Sequence, residues 1–156
     1  MTSSYDVTAS AVLPVTPETA YDAVLAAPLE EILGQRSGVI PGIARAEGQD
    51  GAWGTAGQTR TIVMTDGGRS LETLVLADRP TDYRYRITDI RGLMKPLVRT
   101  IDGRFTFVAE GDGTRVTWSW QLHPTALGRP GMGLLGVFWR RWAAGMFVRL
   151  GDRVRV

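Results

Sequence analysis

The chain of 156 residues is long enough to bury a hydrophobic core without disulfides or metals, and its 44% hydrophobic and 22% charged residues are typical of a soluble globular protein. It contains no cysteine and a single histidine, His123, which excludes disulfides, thiolate catalysis, and cysteine-ligated or multi-histidine metal centres. The net charge of +2 arises from arginines spread along the chain, so we expect no nucleic-acid partner. The lack of cysteine and of a second histidine leads us to expect no metal, and we expect no cofactor.

The N-terminal segment predicts one strand followed by two short helices. Apolar and polar residues alternate over 5–13, the period of a half-buried strand. Thr16 is placed to cap a helix, and Pro17 suits the first helical position because it lacks the N–H that would be unpaired there. Pro28 and Gly34 bracket a second short helix.

Residues 39–121 predict five or six antiparallel strands. Segments of about eight residues with strand character are separated by turn-forming clusters at 48–51, 66–68, 78–82 and 110–113. Glycine and aspartate in these clusters accept the backbone conformations that tight turns require. No helical period appears between them.

The C-terminal segment predicts one long helix over about 131–151. An apolar stripe on one side of that helix is expected to face the sheet. The opposite side carries Val137, Ala144 and Val148 beside Arg140 and Arg141. We leave open whether that side is a solvent face, a homodimer contact or a transient membrane contact. The stripe consists of Leu135, Phe138, Trp139, Trp142, Met146 and Leu150.

These elements predict an α+β domain over 1–156, in which a curved antiparallel sheet of six to seven strands and the C-terminal helix enclose a cavity. The N-terminal residues are polar, unlike a signal peptide, and no apolar run approaches the roughly 20 residues of a membrane span. We therefore expect a cytoplasmic protein without stable membrane insertion.

Three stretches in this order resemble the START-related SRPBCC superfamily, which includes the birch-pollen allergens, polyketide aromatase/cyclases and lipid-transfer domains. They are VLPVTPETAYDAV at 12–24, IPGIARAEGQDGAWGTAGQTRTI at 40–62 and GDGTRVTWSW at 111–120. The resemblance implies a helix-grip fold, with the polyketide cyclase/dehydrase-like branch as the nearest group. It does not imply one chemistry, because members range from passive carriers to cyclases.

Strand alternation predicts which side chains face the cavity. Arg99 shares the parity of an apolar face, but a position at the strand end that reaches solvent is also open. For 69–77 we favour the set that contains Thr73 over the set that contains Glu72, and both orientations of Arg60 are open. The ligand-binding candidates are Tyr83, Arg60, Phe105, Phe107, Trp118, Trp120, Phe138, Trp142 and Met146, and the catalytic candidates are Arg99, Tyr85 and Thr73.

Each candidate also has an ordinary structural interpretation. Trp118 and Trp120 are typical of core or cavity wall before they are a stacking surface for a ligand. Tyr85 is typical of a core tyrosine with a satisfied hydroxyl. His123 precedes Pro124 on the polar parity, which favours a surface or turn role.

Three functions follow as hypotheses. The first is a carrier that binds a small hydrophobic, aromatic or polyketide-like molecule in the cavity. The second is a polyketide aromatase/cyclase without metal or cofactor, in which the cavity orients the chain, Arg99 polarises a carbonyl, and Tyr85 or Thr73 donates a hydrogen bond. The third is a regulatory interaction module, for which no charged partner-binding surface is evident.

Overall fold

The structure is a computed structural model that describes residues 3–155. A curved, seven-stranded antiparallel sheet is combined with two short helices and a long C-terminal helix, so the helix-grip prediction is confirmed. The strands follow the order β1-β7-β6-β5-β4-β3-β2. The elements are β1 Tyr5–Leu13, α1 Pro17–Ala26, α2 Leu29–Ile32, β2 Ile43–Glu47, β3 Thr59–Met64, β4 Arg69–Asp78, β5 Asp82–Thr88, β6 Val98–Glu110, β7 Gly113–Pro124 and α3 Met132–Val154.

The predicted signals at the start of α1 are present in the structure. The Thr16 side chain accepts a hydrogen bond from the backbone N–H of Thr19, at 3.2 Å, and Pro17 occupies the first turn. The Thr16 oxygen therefore satisfies one of the backbone donors that the first turn leaves unpaired. The second helix is a single turn, and an ion pair between Glu31 and Arg153 joins it to α3.

Helix α3 buries one side against the sheet, as its period predicts. Trp139 is fully buried, with its ring centroid 4.9 Å from that of Trp118 and 5.8 Å from that of Trp120. Phe138, which we expected in the stripe, is half-buried at its edge, and Phe147 is buried instead. The buried side consists of Met132, Leu135, Gly136, Trp139, Trp142, Ala143, Met146, Phe147, Leu150 and Gly151.

A β-bulge places Arg99 on the outer face of the sheet. The register of β6 on β7 shifts between Val98 and Thr100, which inserts one extra residue into the alternation. Val98 is therefore buried together with Ile101, while Arg99 is exposed on the outer side of the sheet. The prediction that Arg99 faces the cavity is wrong because simple parity does not continue through a bulge.

The parity we favoured for β4 is also wrong. Glu72 and Leu74 are buried, while Thr73 is half-buried on the other face and Val75 is exposed. Burying a carboxylate is costly unless a partner compensates its charge. That partner is Arg60, which lies directly opposite Glu72 in the pairing of β3 with β4.

Candidate functional site

A cavity of about 120 Å³ lies between the inner face of the sheet, α2 and α3. Its size is close to that of an engineered cavity of about 150 Å³ that binds benzene in another protein. The cavity reaches the surface beside Arg69, Arg91 and Leu93, which are exposed. Seven of the predicted ligand-binding residues line it: Arg60, Tyr83, Phe105, Trp118, Trp120, Trp142 and Met146.

Aromatic rings form a flat wall along strands β5 to β7. Tyr83 stacks on Phe105, with centroids 5.8 Å apart and planes 10° apart, and Phe105 stacks on Trp118 at 5.3 Å and 7°. Trp142 of α3 approaches this wall, with its centroid 5.9 Å from that of Trp118 and 5.7 Å from that of Trp120. Such a wall favours flat apolar ligands, because aromatic rings pack best in offset-stacked or edge-to-face arrangements.

The Tyr85 hydroxyl is fixed in the cavity by two tryptophan side chains. Its oxygen accepts hydrogen bonds from the indole N–H of Trp118 at 2.9 Å and of Trp120 at 2.8 Å. A phenol oxygen accepts with its lone pairs and donates one proton. No hydrogen-bond acceptor for that proton occurs among residues 3–155, so the hydroxyl proton is free to be donated.

Burial also keeps Tyr85 in its donating form. Desolvation, reinforced by the nearby charge of Glu72, raises the pKa of the Tyr85 phenol far above its ordinary value of 10.0. The phenol therefore stays protonated across the physiological pH range. A neutral phenol held by two N–H donors is a preorganised hydrogen-bond donor.

A glycine on the neighbouring strand makes room for the Tyr85 ring. Gly103 of β6 lies opposite Tyr85 of β5, and a Cβ added at Gly103 would overlap the ring carbons of Tyr85. A side chain at this position would therefore displace the ring from the sheet. The glycine within the strand is a sequence signal of close approach.

A buried ion pair lies on the β3–β4 side of the cavity. Arg60 Nε donates to Glu72 Oε1 at 2.5 Å, and both side chains are less than one-tenth exposed. The guanidinium also lies 4.0 Å from the ring centroid of Trp53 and donates to Gln49 Oε1 at 3.2 Å. Three different partners thus hold Arg60 in place.

Glu72 is buried, and its pKa is raised. Desolvation raises the pKa of the Glu72 carboxyl above its ordinary value of 4.5, although the charge of Arg60 and hydrogen bonds from Arg60 and Tyr83 act in the opposite direction. The Tyr83 hydroxyl also accepts from Trp53 Nε1 at 2.8 Å. Glu72, Arg60, Tyr83 and Tyr85 are therefore buried residues that bring charged or hydroxyl groups to the cavity, and Ser70, Asp66, Arg69 and Arg91 add less buried polar groups.

Several predicted site residues lie elsewhere. Phe107 is buried outside the cavity, with its ring 5.2 Å from that of Tyr21. Phe138 packs over Gly38. Arg99 and Thr73 do not line the cavity, as the bulge and the parity of β4 require.

The single histidine has the surface role that its parity favours. His123 Nε2 lies 2.8 Å from Asp102 Oδ2, on the face of the sheet away from the cavity. Within the described chain, no group of three or more histidine, aspartate or glutamate side chains is arranged to hold a metal ion.

The sequence interpretation leaves out part of the site. It favours the outer face for Glu72 and does not identify Trp53, because both placements depend on Arg60 being inside. The available signal was the pairing of β3 with β4, since opposite charges directly across two strands stabilise each other on either face. The sequence interpretation also leaves out apolar lining residues such as Ile32 and Ile62.

The outer side of α3 is apolar in part. Leu134 is 60% exposed and Val148 is 65% exposed. Whether a second copy of the chain covers this side stays a prediction. Over residues 3–155, no helix has both the length and the apolar character needed to cross a membrane.

Comparison with known proteins gives one family and many similar structures. A family model described as polyketide cyclase / dehydrase and lipid transport matches residues 4–155. No curated protein matches the sequence.

Three solved structures illustrate the likeness of fold. Ginseng major latex-like protein 151 from Panax ginseng has a TM-score of 0.71 at 11% identity, covering 96% of this chain and 97% of its own. Norcoclaurine synthase from Thalictrum flavum, in complex with dopamine and hydroxybenzaldehyde, has a TM-score of 0.71 at 13% identity, covering 97% and 86%. Ara h 8.0201 has a TM-score of 0.64 at 18% identity, covering 97% of both chains. Identities this low show a shared fold alone, so a function has to be argued from the residues of the cavity.

Proposed function

The chain belongs to the polyketide cyclase / dehydrase and lipid transport family, and from this we propose that it binds a small, flat aromatic molecule that carries a carbonyl group. The observation that supports the proposal is the Tyr85 hydroxyl, which accepts from two tryptophans and has its proton free to donate beside the aromatic wall. A carbonyl oxygen is the acceptor that suits this donor.

The size of the cavity limits the ligand. About 120 Å³ suits one aromatic ring, and a second fused ring would extend towards the open mouth beside Arg91. The apolar walls gain from contact with ring carbons, while one directed hydrogen bond fixes the orientation of the ligand. A long lipid chain does not fit such a volume.

A matched pair of ligands tests this proposal. 2-Indanone and indane share the same fused-ring skeleton, and only 2-indanone carries a carbonyl. We expect both to bind and to quench tryptophan fluorescence. Tyr85→Phe should weaken the binding of 2-indanone about three- to tenfold, the equivalent of one net hydrogen bond, while changing the affinity for indane much less.

The control for this experiment is Tyr5→Phe, the same chemical change outside the residues that line the cavity. It should leave both affinities within about twofold of wild type, well under the effect of one hydrogen bond. Failure of both ligands to bind, or equal losses for the two ligands in Tyr85→Phe, would contradict the proposal.

A second candidate function is a cyclase reaction on a polyketide-like chain, in which the cavity orients the ring-forming part of the substrate. The same Tyr85 donor favours it, because it would stabilise negative charge that develops on a carbonyl oxygen. Arg99 and Thr73 take no part in this version, since neither lines the cavity. Turnover of a linear poly-β-ketone that Tyr85→Phe slows at least tenfold would support the candidate, and unchanged turnover would reject it.

A further inference from the structure

Glu72 is the one buried carboxylate among residues 3–155. The other carboxylate that lines the cavity, Asp66, is exposed at the mouth. A buried ion pair is weak evidence for stability, because desolvation opposes the attraction between the charges. Its position in a ligand cavity therefore suggests a role beyond packing.

The carboxylate retains the capacity to accept more hydrogen bonds. An ionised carboxylate has about four acceptor sites, and the hydrogen bond from Arg60 Nε occupies one of those of Glu72. Arg60 is in turn fixed by Trp53 and Gln49. Glu72 is consequently oriented from the β3 side and still accessible from the cavity that it lines.

The Tyr85 donor lies close to this acceptor. Tyr85 of β5 pairs with Leu74 of β4, so Glu72 is its diagonal neighbour on the same inward face. Diagonal neighbours in a sheet lie within reach of long side chains. One small ligand in the cavity can therefore meet a hydrogen-bond donor and a carboxylate at adjacent positions.

We propose that Glu72 is the general base that removes an acidic C–H proton next to the carbonyl of a bound aromatic ketone while Tyr85 holds the carbonyl oxygen. This inference rests on the proposed binding function and adds a substrate class, enolisable aryl-fused ketones. The raised pKa of Glu72 supports it, because a more basic carboxylate is a better proton acceptor.

The proton and the electrons balance within the site. The C–H bond breaks and its proton passes to a Glu72 oxygen. The electron pair of that bond forms the C=C bond of the enolate, and the carbonyl π pair moves onto the oxygen that Tyr85 hydrogen-bonds. Return of a proton from Glu72 to carbon restores the ketone, so no oxidant or other reactant is consumed.

Hydrogen–deuterium exchange measures this step directly. 2-Indanone is incubated in D₂O with the full chain, and deuterium incorporation next to the carbonyl is followed by NMR. Wild type should accelerate incorporation, because protonated Glu72 exchanges its proton with solvent deuterons before returning one to carbon. Glu72→Gln should slow the protein-dependent rate about 100-fold or more, as expected for loss of a general base.

Binding and folding are followed in parallel. Glu72→Gln leaves Arg60 buried without its counter-ion, so its folding is checked by urea unfolding. Glutamine keeps a side-chain oxygen that can accept from Arg60, so the folded variant should bind 2-indanone within about tenfold of wild type. The matched control is Glu110→Gln, which removes the charge of an exposed glutamate paired with Arg115, away from the cavity. It should exchange at the wild-type rate.

The pH profile of wild type is a second measurement that needs no variant. The ionisable groups that face Glu72 are Arg60 on β3 and Tyr83 and Tyr85 on β5. Burial raises the pKa of both phenols above their ordinary value, so Tyr83 and Tyr85 stay protonated between pH 4 and 8. The rate should therefore rise with pH to a plateau, with its midpoint above 4.5.

The outcomes separate this inference from the binding proposal. Binding of 2-indanone without accelerated exchange overturns the role of Glu72 and leaves the binding proposal standing. Accelerated exchange that persists in Glu72→Gln, or that rises tenfold per pH unit without a plateau, also overturns it. Failure of 2-indanone to bind overturns the proposed function together with this inference, whether or not indane binds.

Discussion

Replacing Gly103 with alanine should displace the Tyr85 ring and so disrupt the cavity, because the new methyl group would occupy the position of that ring. The three ring carbons of Tyr85 nearest to the new Cβ would all lie inside 3.0 Å, a separation that real Cβ atoms essentially never show. The ring would have to withdraw by about 1.4 Å or more to restore ordinary contact. Its hydrogen bonds to Trp118 and Trp120, now 2.9 and 2.8 Å long, would then exceed the range of a normal bond.

The expected cost of Gly103→Ala has two parts. Overpacking of a dense core costs about 1–3 kcal/mol, and each lost hydrogen bond costs about 1 kcal/mol. The free energy of unfolding, measured in urea by tryptophan fluorescence, should therefore fall by about 3–5 kcal/mol, because both hydrogen bonds of the Tyr85 oxygen are lost. The affinity for 2-indanone should fall as well, because the donor no longer meets the carbonyl.

A double-mutant cycle with Tyr85 isolates the cause. In a Tyr85→Ala background the ring is absent, so adding Gly103→Ala should cost less than about 1 kcal/mol. The control is Gly133→Ala on the exposed side of α3, where an added Cβ meets nothing within 4 Å. That change should be neutral or should stabilise the helix by up to about 1 kcal/mol. A cost below about 0.5 kcal/mol for Gly103→Ala, with unchanged affinity, would refute this reasoning.

Three other predictions follow from the same structure. Arg60→Met should lower the free energy of unfolding in urea by about 3–5 kcal/mol, because it leaves Glu72 buried without its partner; a loss under about 1 kcal/mol would mean that water or another group compensates the charge. Burial raises the folded-state pKa of Glu72 above 4.5, so between these two pKa values the folded state holds a proton that the unfolded state has lost. The free energy of unfolding of wild type relative to Glu72→Gln should therefore decrease as the pH rises from 4.5 through the folded-state pKa. A pH-independent difference between the two proteins would contradict that shift. Arg99→Leu, on the outer face, should leave the affinity for 2-indanone within about twofold of wild type in fluorescence titrations, and a larger loss would place Arg99 in the site after all.

The elements of the fold were predictable because their signals are local. Thr16 and Pro17 mark the start of α1, and the strand alternation on β7 places Trp118 and Trp120 inside without reference to any other strand. The apolar stripe of α3 needs only the helical period. These features depend on the chain geometry of each element alone.

The polar part of the site was less predictable because it depends on pairs. The bulge before Thr100 moves Arg99 to the outer face, and nothing in the local sequence marks that bulge. Arg60 and Glu72 are acceptable inside only together, so parity judged one strand at a time favours the wrong face of β4. Tyr85 was placed inside correctly, but its two tryptophan donors were visible only in the structure.

The proposed function depends on Tyr85 donating its hydroxyl proton to the carbonyl of a flat ligand in the cavity. A crystal structure of the complex with 2-indanone would show this contact. We expect the ketone oxygen about 2.5–3.0 Å from Tyr85 Oη, with the rings against the wall formed by Phe105 and Trp118. A ketone oxygen turned towards Arg91 at the mouth, or a ligand bound outside the cavity, would contradict it.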